Sequence, residues 1–323
     1  DIWLVKISDN TDIDEAESEI LYTALTHGGE PLGMATVMYF MYYLLENYGT
    51  DPFVTFLIDN RELYFVPVVN PDGYVYNEQI HPEGGGRWRK NKSDNNENQI
   101  FDPDFDGVDL NRNFGYNWGY DNQGSSPDPV SWRYRGTASF SEPETQAIRD
   151  LCLRHEFRLA FNYHTYGSWL SLPWGYILYD ITPDSTIFLK LAKNMTQYNN
   201  YTHSSFTKDF VLLNGGANDW MYGEQTEKGK IFAMTPEVGS EGHWPPLSRI
   251  YPLAEENIYP NLVLALGPDV LDTDTTLKVQ YATINTGIPN QVVDTIQIRT
   301  NVINHDSLPV LVQAFIVSLD KCL

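Results

Sequence analysis

Cysteine is nearly missing from this chain of 323 residues: there are two, Cys152 and Cys322. They lie far apart, so neither a disulfide framework nor a thiolate metal site can be built from them. Any metal must therefore be held by histidine and carboxylate. Basic residues are also scarce, 21 Lys and Arg against 43 Asp and Glu, for a formal net charge of −22. Such a balance argues against nucleic acid and anionic membrane surfaces as partners, because both demand a basic face. It fits a highly soluble protein, secreted or extracellular. No apolar run reaches the roughly 18 residues that a membrane-spanning helix needs. The opening "DIWLVKISDN" has neither the basic nor the apolar region of a secretory leader. Since it begins on the strand-like "IWLVKI", a leader, and first elements with it, are expected to lie outside this sequence.

What the chain does have is an alternation of apolar strands and amphipathic helices. "MATVMYFMYYLLEN" (34–47) has helical length and apolar residues on more than one face, which suits a helix packed on a sheet. "ELYFVPVVN", "FRLAFNYHTY" and "GKIFAMTPEVG" read as nearly continuous apolar strands, as expected inside a sheet covered on both faces. "SEPETQAIRDLCLRHEF" opens with Ser141 and Glu144 in capping-box spacing, and "DSTIFLKLAKNMTQYN" and "SRIYPLAEENIYPNLVLAL" carry helical period. The pattern predicts a layered α/β domain over 1–268. After it, β-branched stretches without a helix predict a small, incomplete β module over 269–323.

The segment from Asn77 to Asn122 is rich in Asp, Asn, Gly and aromatics and has little periodicity, and a loop of that size in a compact domain is usually functional. Within it "DNNENQIFDPDFDG" alternates oxygen-bearing side chains of the kind Ca2+ takes, although its spacing departs from the EF-hand loop and a solvated acidic loop competes.

In "LTHGGEPLG", His27 and Glu30 stand three residues apart between an aliphatic run and two glycines. A zinc ion that polarises a carbonyl and activates water needs three protein ligands, typically two His and one carboxylate, with the remaining position open. His27 and Glu30 can supply two, their spacing suiting a turn or helix start. His164, closing "RLAFNYH", fits the third, because a buried strand end places a side chain rigidly at the open edge of an α/β sheet. Of the other histidines, His81, His203 and His305 read as solvated side chains. His155 and Glu156 form the sole His-Glu dipeptide, but Leu159 stands where a second histidine would complete HExxH, so a helix end is the better reading. His243, in "GSEGHWPP", is a rim candidate.

These residues resemble the zinc carboxypeptidases of the carboxypeptidase A type, whose ligands are HxxE and a distant His. "PVVNPDGY", "WRKN", "GVDLNRNFGYNWG" and "DWMYGEQ…TPEVG" match in the same order, over residues 1 to about 266. The resemblance implies one Zn2+ on His27, Glu30 and His164, and a mixed, mostly parallel sheet covered by helices. It makes Glu237 the general base and proton shuttle, and Arg89 the cation on the scissile carbonyl and oxyanion. Asn111 and Arg112 would grip the substrate's C-terminal carboxylate through a planar guanidinium fork. Asp109 would accept the free ring N–H of His27. Tyr166 would be an aromatic cleft wall, with Gly215, Gly216 and Asn218 shaping the pocket for the terminal side chain. A neutral Asn218 at the floor predicts no strict preference for Lys or Arg. The implied partners are peptide or protein C-termini.

Two positions depart from the family pattern. Gly29 stands where digestive members carry an arginine. Val211, beside Phe210, stands where a mobile tyrosine closes over the substrate carboxylate, a loss that should weaken binding by roughly 1.5–3 kcal/mol. Tyr222 could replace that hydroxyl. Two further readings compete with a working carboxypeptidase: a peptide- or wall-binding module with little turnover, and a zinc amidase acting on other substrates.

Overall fold

The computed structural model describes residues 1–178, 180–205 and 212–267, and the backbone of Phe315–Ser318. Its strands are β1 (Trp3–Ile7), β2 (Ser18–Thr23), β3 (Arg61–Val66), β4 (Leu159–Asn162), β5 (Trp169–Leu172), β6 (Thr202–Ser205), β7 (Phe232–Glu237) and β8 (Phe315–Ser318). They form one sheet in the order β6-β5-β7-β4-β2-β3-β1-β8. The central run β7-β4-β2-β3 is parallel throughout, while β1 pairs antiparallel with β3 and β5 antiparallel with β7. This is the mixed, mostly parallel sheet that was expected. Of the stretch 269–323, only β8 lies among the described residues, antiparallel to β1 at the sheet edge. The rest of that stretch, His305 and Cys322 included, lies outside them.

Strand periodicity sorts the core into two layers. Ile20, Tyr22, Leu63, Phe65, Leu159, Phe161, Phe232 and Met234 face one side, and the intervening Leu21, Tyr64, Ala160 and Ala233 face the other. The first layer is closed by α1 (Pro31–Asn47), α2 (Pro52–Ile58), α5 (Ser185–Met195), α7 (Leu247–Glu255) and α8 (Ile258–Ala265). The second is closed by α4 (Pro143–Arg154) and α6 (Ala217–Gly223). Cys152 is buried there as a free thiol.

Proline sets several boundaries that periodicity alone misplaces. Helix α1 starts at Pro31, earlier than the apolar pattern suggests, because proline is pre-organised for the first helical position and lacks an N–H that would go unpaired there. The Ser141–Glu144 capping box does not form. Pro143 opens α4 with Glu142 at the cap, and Ser141 instead donates to Glu142 Oε1 at 2.6 Å. The single helix expected over 248–266 is two, α7 and α8. Within one continuous helix the Pro260 ring would clash with the Glu256 carbonyl, and the break places Pro260 in the first turn of α8. Helices α2, α3 (Pro71–Ile80) and α6 were not foreseen.

Candidate metal centre and substrate cleft

Neighbouring parallel strands end in a common crevice. His27 lies just beyond the carboxyl end of β2, His164 just beyond that of β4, and Glu237 is the last residue of β7. Ligand sites of open α/β sheets form at these strand ends. The loop from β2 to α1 is tied down by Ala24 N to Val66 O, Asn70 N to Leu25 O and Gly28 N to Arg89 O. Position 28 must be glycine, since a Cβ would collide with the Gly73 backbone. Pro31 then starts α1 and leaves Glu30 at the cap position, yet its carboxylate caps no helix N–H. It turns to the histidines instead.

Three donors converge there. Glu30 Oε1 lies 2.8 Å from His27 Nδ1, Glu30 Oε2 lies 2.8 Å from His164 Nδ1, and the two Nδ1 atoms are 3.0 Å apart. All three side chains are buried, and their ligand atoms fall within 4.8 Å of one another. Burial alone would raise the Glu30 carboxyl, but the two imidazoles hold it well below its usual range. Two imidazoles and one carboxylate are the donor set zinc takes in catalytic sites, so the residues fit the metal. The outer nitrogen of His27, Nε2, lies 3.1 Å from Asp109 Oδ1, and Asp109 Oδ2 accepts from Arg89 Nε at 2.8 Å. Asp109 is fully buried. Desolvation would raise its carboxyl, and Arg89, Arg112 and His27 hold it well below the usual carboxylate range. Asp109→Asn is therefore expected to weaken zinc affinity by about ten- to a hundredfold, read by competition against a chromogenic chelator. An affinity left unchanged would show that His27 does not depend on this carboxylate.

Glu237 faces the same crevice. Its backbone pairs with His164, through His164 N to Pro236 O at 3.0 Å and Val238 N to His164 O at 3.0 Å. Burial pushes its carboxyl up to about 7, with Glu30 adding and His164 and Arg89 opposing. Arg89 Nη1 stands 3.6 Å from Glu30 Oε1. Arg112 is buried; its Nε donates to Gly124 O at 2.7 Å and its Nη1 to Asn111 O at 2.9 Å. That leaves Nη2 without a hydrogen bond among the described residues. Asn111 is committed within the protein: its Oδ1 accepts from Ala217 N at 3.0 Å, and its Nδ2 lies 3.3 Å from His164 Nε2. Gly215, at φ +72°, lets the start of α6 press on the Arg112 carbonyl, where a Cβ would collide. Gly216 has no room for a Cβ beside Leu213.

Asn218 is more constrained than the bare residue type suggests. Asn218 Oδ1 accepts from Asn162 Nδ2 at 2.8 Å, and Asn218 Nδ2 donates to Thr235 Oγ1 at 2.9 Å. Asn162 is fixed in turn by Thr23 Oγ1 at 2.7 Å. The amide is thus oriented by Asn162, which no motif marked, and by Thr235, which opens the TPEVG motif with no role assigned to it. Tyr166 is half exposed and meets the His243 ring edge-on at 5.0 Å, which puts His243 on the rim, where its Nδ1 lies 3.0 Å from Thr165 Oγ1. At position 29 a side chain would crowd Gly86 O at 3.1 Å and Trp88 O at 3.3 Å, so Gly29 suits the loop lying over it.

Several expectations change. Tyr222 does not face the cleft: it is buried in the core, and its hydroxyl donates to Asp184 Oδ2 at 2.8 Å. It cannot stand in for a closing tyrosine. Val211 and Phe210 lie outside the described residues. His155 pairs with Glu19 and stacks on Phe157, as a helix end would, while His203 Nδ1 lies 3.0 Å from Thr196 Oγ1 in a hydrogen bond and His81 ends α3. The acidic loop gives no support for calcium, because its oxygens serve the loop's own backbone. Asp94 accepts from Asn98 N and Gln99 N, and Asp106 from Asn95 N and Asp102 N. Among the described residues no metal-capable group includes it.

A single mixed sheet with a His-Glu-His donor set at its parallel strand ends defines an α/β protein with a candidate zinc centre. Within that class the chain belongs to the zinc carboxypeptidase family, whose profile matches residues 1–260. It is 30% identical over 254 residues to a zinc carboxypeptidase of Saccharothrix mutabilis subsp. capreolus, covering 76% of this chain and 56% of that one. It is 28% identical over 265 residues to the mast cell carboxypeptidase A of Homo sapiens, covering 80% and 60%. The structure of thrombin activatable fibrinolysis inhibitor superposes with a TM-score of 0.71 at 26% identity, over 84% of this chain and 66% of that one. The chain thus spans less than two thirds of the length of these curated relatives.

Proposed function

We propose that this chain hydrolyses the C-terminal peptide bond of peptides or proteins with one zinc ion held by His27, Glu30 and His164. The observation that carries the reading is the meeting of those donors with Glu237, Arg89 and Arg112 around one crevice. Zinc supplies a Lewis acid for the scissile carbonyl and for water. Glu237, raised to about 7 by burial, takes the water's proton and returns it to the leaving amine. A base poised near the working pH does both steps well. Arg89, steadied by Asp109, donates to the carbonyl oxygen as negative charge develops there. Arg112 receives the terminal carboxylate, and Asn218 with Asn162 and Thr235 forms the floor beneath the terminal side chain. The neutral floor supports a broad preference in place of a strict basic one. The acidic composition supports an extracellular setting.

A mixed peptide panel, each member with a free or an amidated C-terminus, tests this with the zinc-loaded protein. Stepwise release of C-terminal residues from the free peptides is expected, with amidation cutting kcat/KM at least about a hundredfold, the value of a charged hydrogen-bonded pair. Equal cleavage of both sets would move the reading to an amidase, and stoichiometric zinc without release to a binding module.

A further inference from the structure

Arg89 lies between the metal donors and an exposed tryptophan. Its Nε is bound to Asp109 and its Nη1 approaches Glu30, while its Cζ sits 5.3 Å from the centroid of the Trp132 ring. Trp132 is 58% exposed, the highest value of any tryptophan in the chain, and the backbone on either side of it is tied down. Tyr134 O accepts from Asp109 N at 2.8 Å, Ser126 N donates to Arg133 O at 2.9 Å, Arg135 N donates to Ser126 O at 3.1 Å, and Lys90 Nζ donates to Pro129 O at 2.9 Å. A second guanidinium, Arg133 Cζ, lies 4.9 Å from the same ring, and Arg133 Nη1 is fixed on Gln123 O at 3.0 Å. Two cations thus hold the indole. An aromatic held by two cations and left more than half in water beside the crevice is available to a substrate side chain.

We infer that Trp132, steadied by Arg133, is the platform for the side chain on the N-terminal side of the scissile bond, and that it selects peptides with an aromatic penultimate residue. The inference rests on the proposed carboxypeptidase reading, because only then does the carbonyl beside Arg89 belong to the penultimate residue. That residue's side chain is then the part of the substrate nearest the indole. An aromatic group can meet it edge-to-face or offset, whereas alanine cannot reach it and lysine meets two resident cations. The sequence around it, "PDPVSWRYRG", carries no motif that marks this role.

The test uses N-acylated peptides sharing one C-terminal residue, with Phe, Ala or Lys before it. For the zinc-loaded wild type, kcat/KM should favour Phe over Ala by about tenfold, as an aromatic pair in addition to its buried area provides, with the difference mostly in KM. Trp132→Ala should bring the Phe-to-Ala ratio to parity and Trp132→Phe should restore most of it. General damage to the site would lower both substrates together and leave the ratio standing, so an unchanged ratio in Trp132→Ala overturns the platform. Absence of Phe preference in the wild type overturns it too. If the wild type releases nothing, the carboxypeptidase reading fails, and affinities of the same peptides for the zinc-loaded protein decide the platform. A Phe-over-Ala affinity ratio that Trp132→Ala abolishes upholds it, and one that survives the substitution overturns it.

Discussion

Glu237→Gln is expected to lower kcat by roughly 10²- to 10⁴-fold, the usual contribution of a positioned general base, while zinc content and peptide affinity stay close to wild type. The substitution is nearly isosteric, and the bonds tying this residue to His164 are made by backbone atoms, so the crevice should keep its shape. The side chain also contributes no donor to the His27, Glu30 and His164 group. What disappears is a carboxylate that burial pushes up to about 7, low enough to ionise near neutrality and basic enough to hold a proton briefly. An amide can do neither. Single-turnover release from a free peptide, with metal analysis and calorimetry on the same preparation, would separate the effects. Turnover retained to within about tenfold would remove Glu237 from the reaction, since that is less than general-base catalysis contributes.

The parts of this molecule legible in the sequence are those that local chemistry fixes. Strand ends in an α/β sheet are where rigid side chains meet solvent, so His164 after an apolar run was readable as a site, whereas Glu237 took its role only from the resemblance to the zinc carboxypeptidases. The spacing of His27 and Glu30, followed by Pro31, marked a second edge. What could not be read depends on contacts between distant segments. Asn111 and Arg112 are adjacent and look equivalent, but Arg112 keeps Nη2 available while Asn111 is bound by Ala217 N from α6, far along the chain. Asn218 reads in the sequence only as a neutral floor amide, while its orientation is fixed by Asn162 and Thr235 on two other strands. Trp132 has no local signature, and it gains its position from Tyr134 O on Asp109 N and from two guanidiniums. The short helices α2 and α6 escaped because about two turns offer too little periodicity to distinguish them from a loop.

The sharpest separation between an exopeptidase and any other zinc hydrolase on this fold should come from Arg112. Its guanidinium is buried among neighbours that fix it without neutralising its outer edge: Gly124 O on Nε, Asn111 O on Nη1, and Asp109 Oδ2 at 3.8 Å. Burial draws its pKa down to about 10, which still leaves it charged at neutral pH. A buried cation with a free edge gains most from an anion that reaches it, because little water remains to screen the pair. Arg112→Ala should therefore reduce kcat/KM on free peptides by about 10²- to 10³-fold, in line with losing one partner of a desolvated charge pair. On amidated peptides the same substitution should have a much smaller effect, so that wild-type discrimination between the two sets collapses in the variant. Arg112→Lys should recover only part, since an ammonium keeps the charge but not the planar fork. Measured as a cycle of enzyme variant against substrate terminus, the coupling isolates the contact from any general damage through Asp109. An equal loss on both substrate sets would mean that Arg112 acts by holding Asp109 and the His27 ring in place, and the carboxylate grip would then have to lie elsewhere in the cleft.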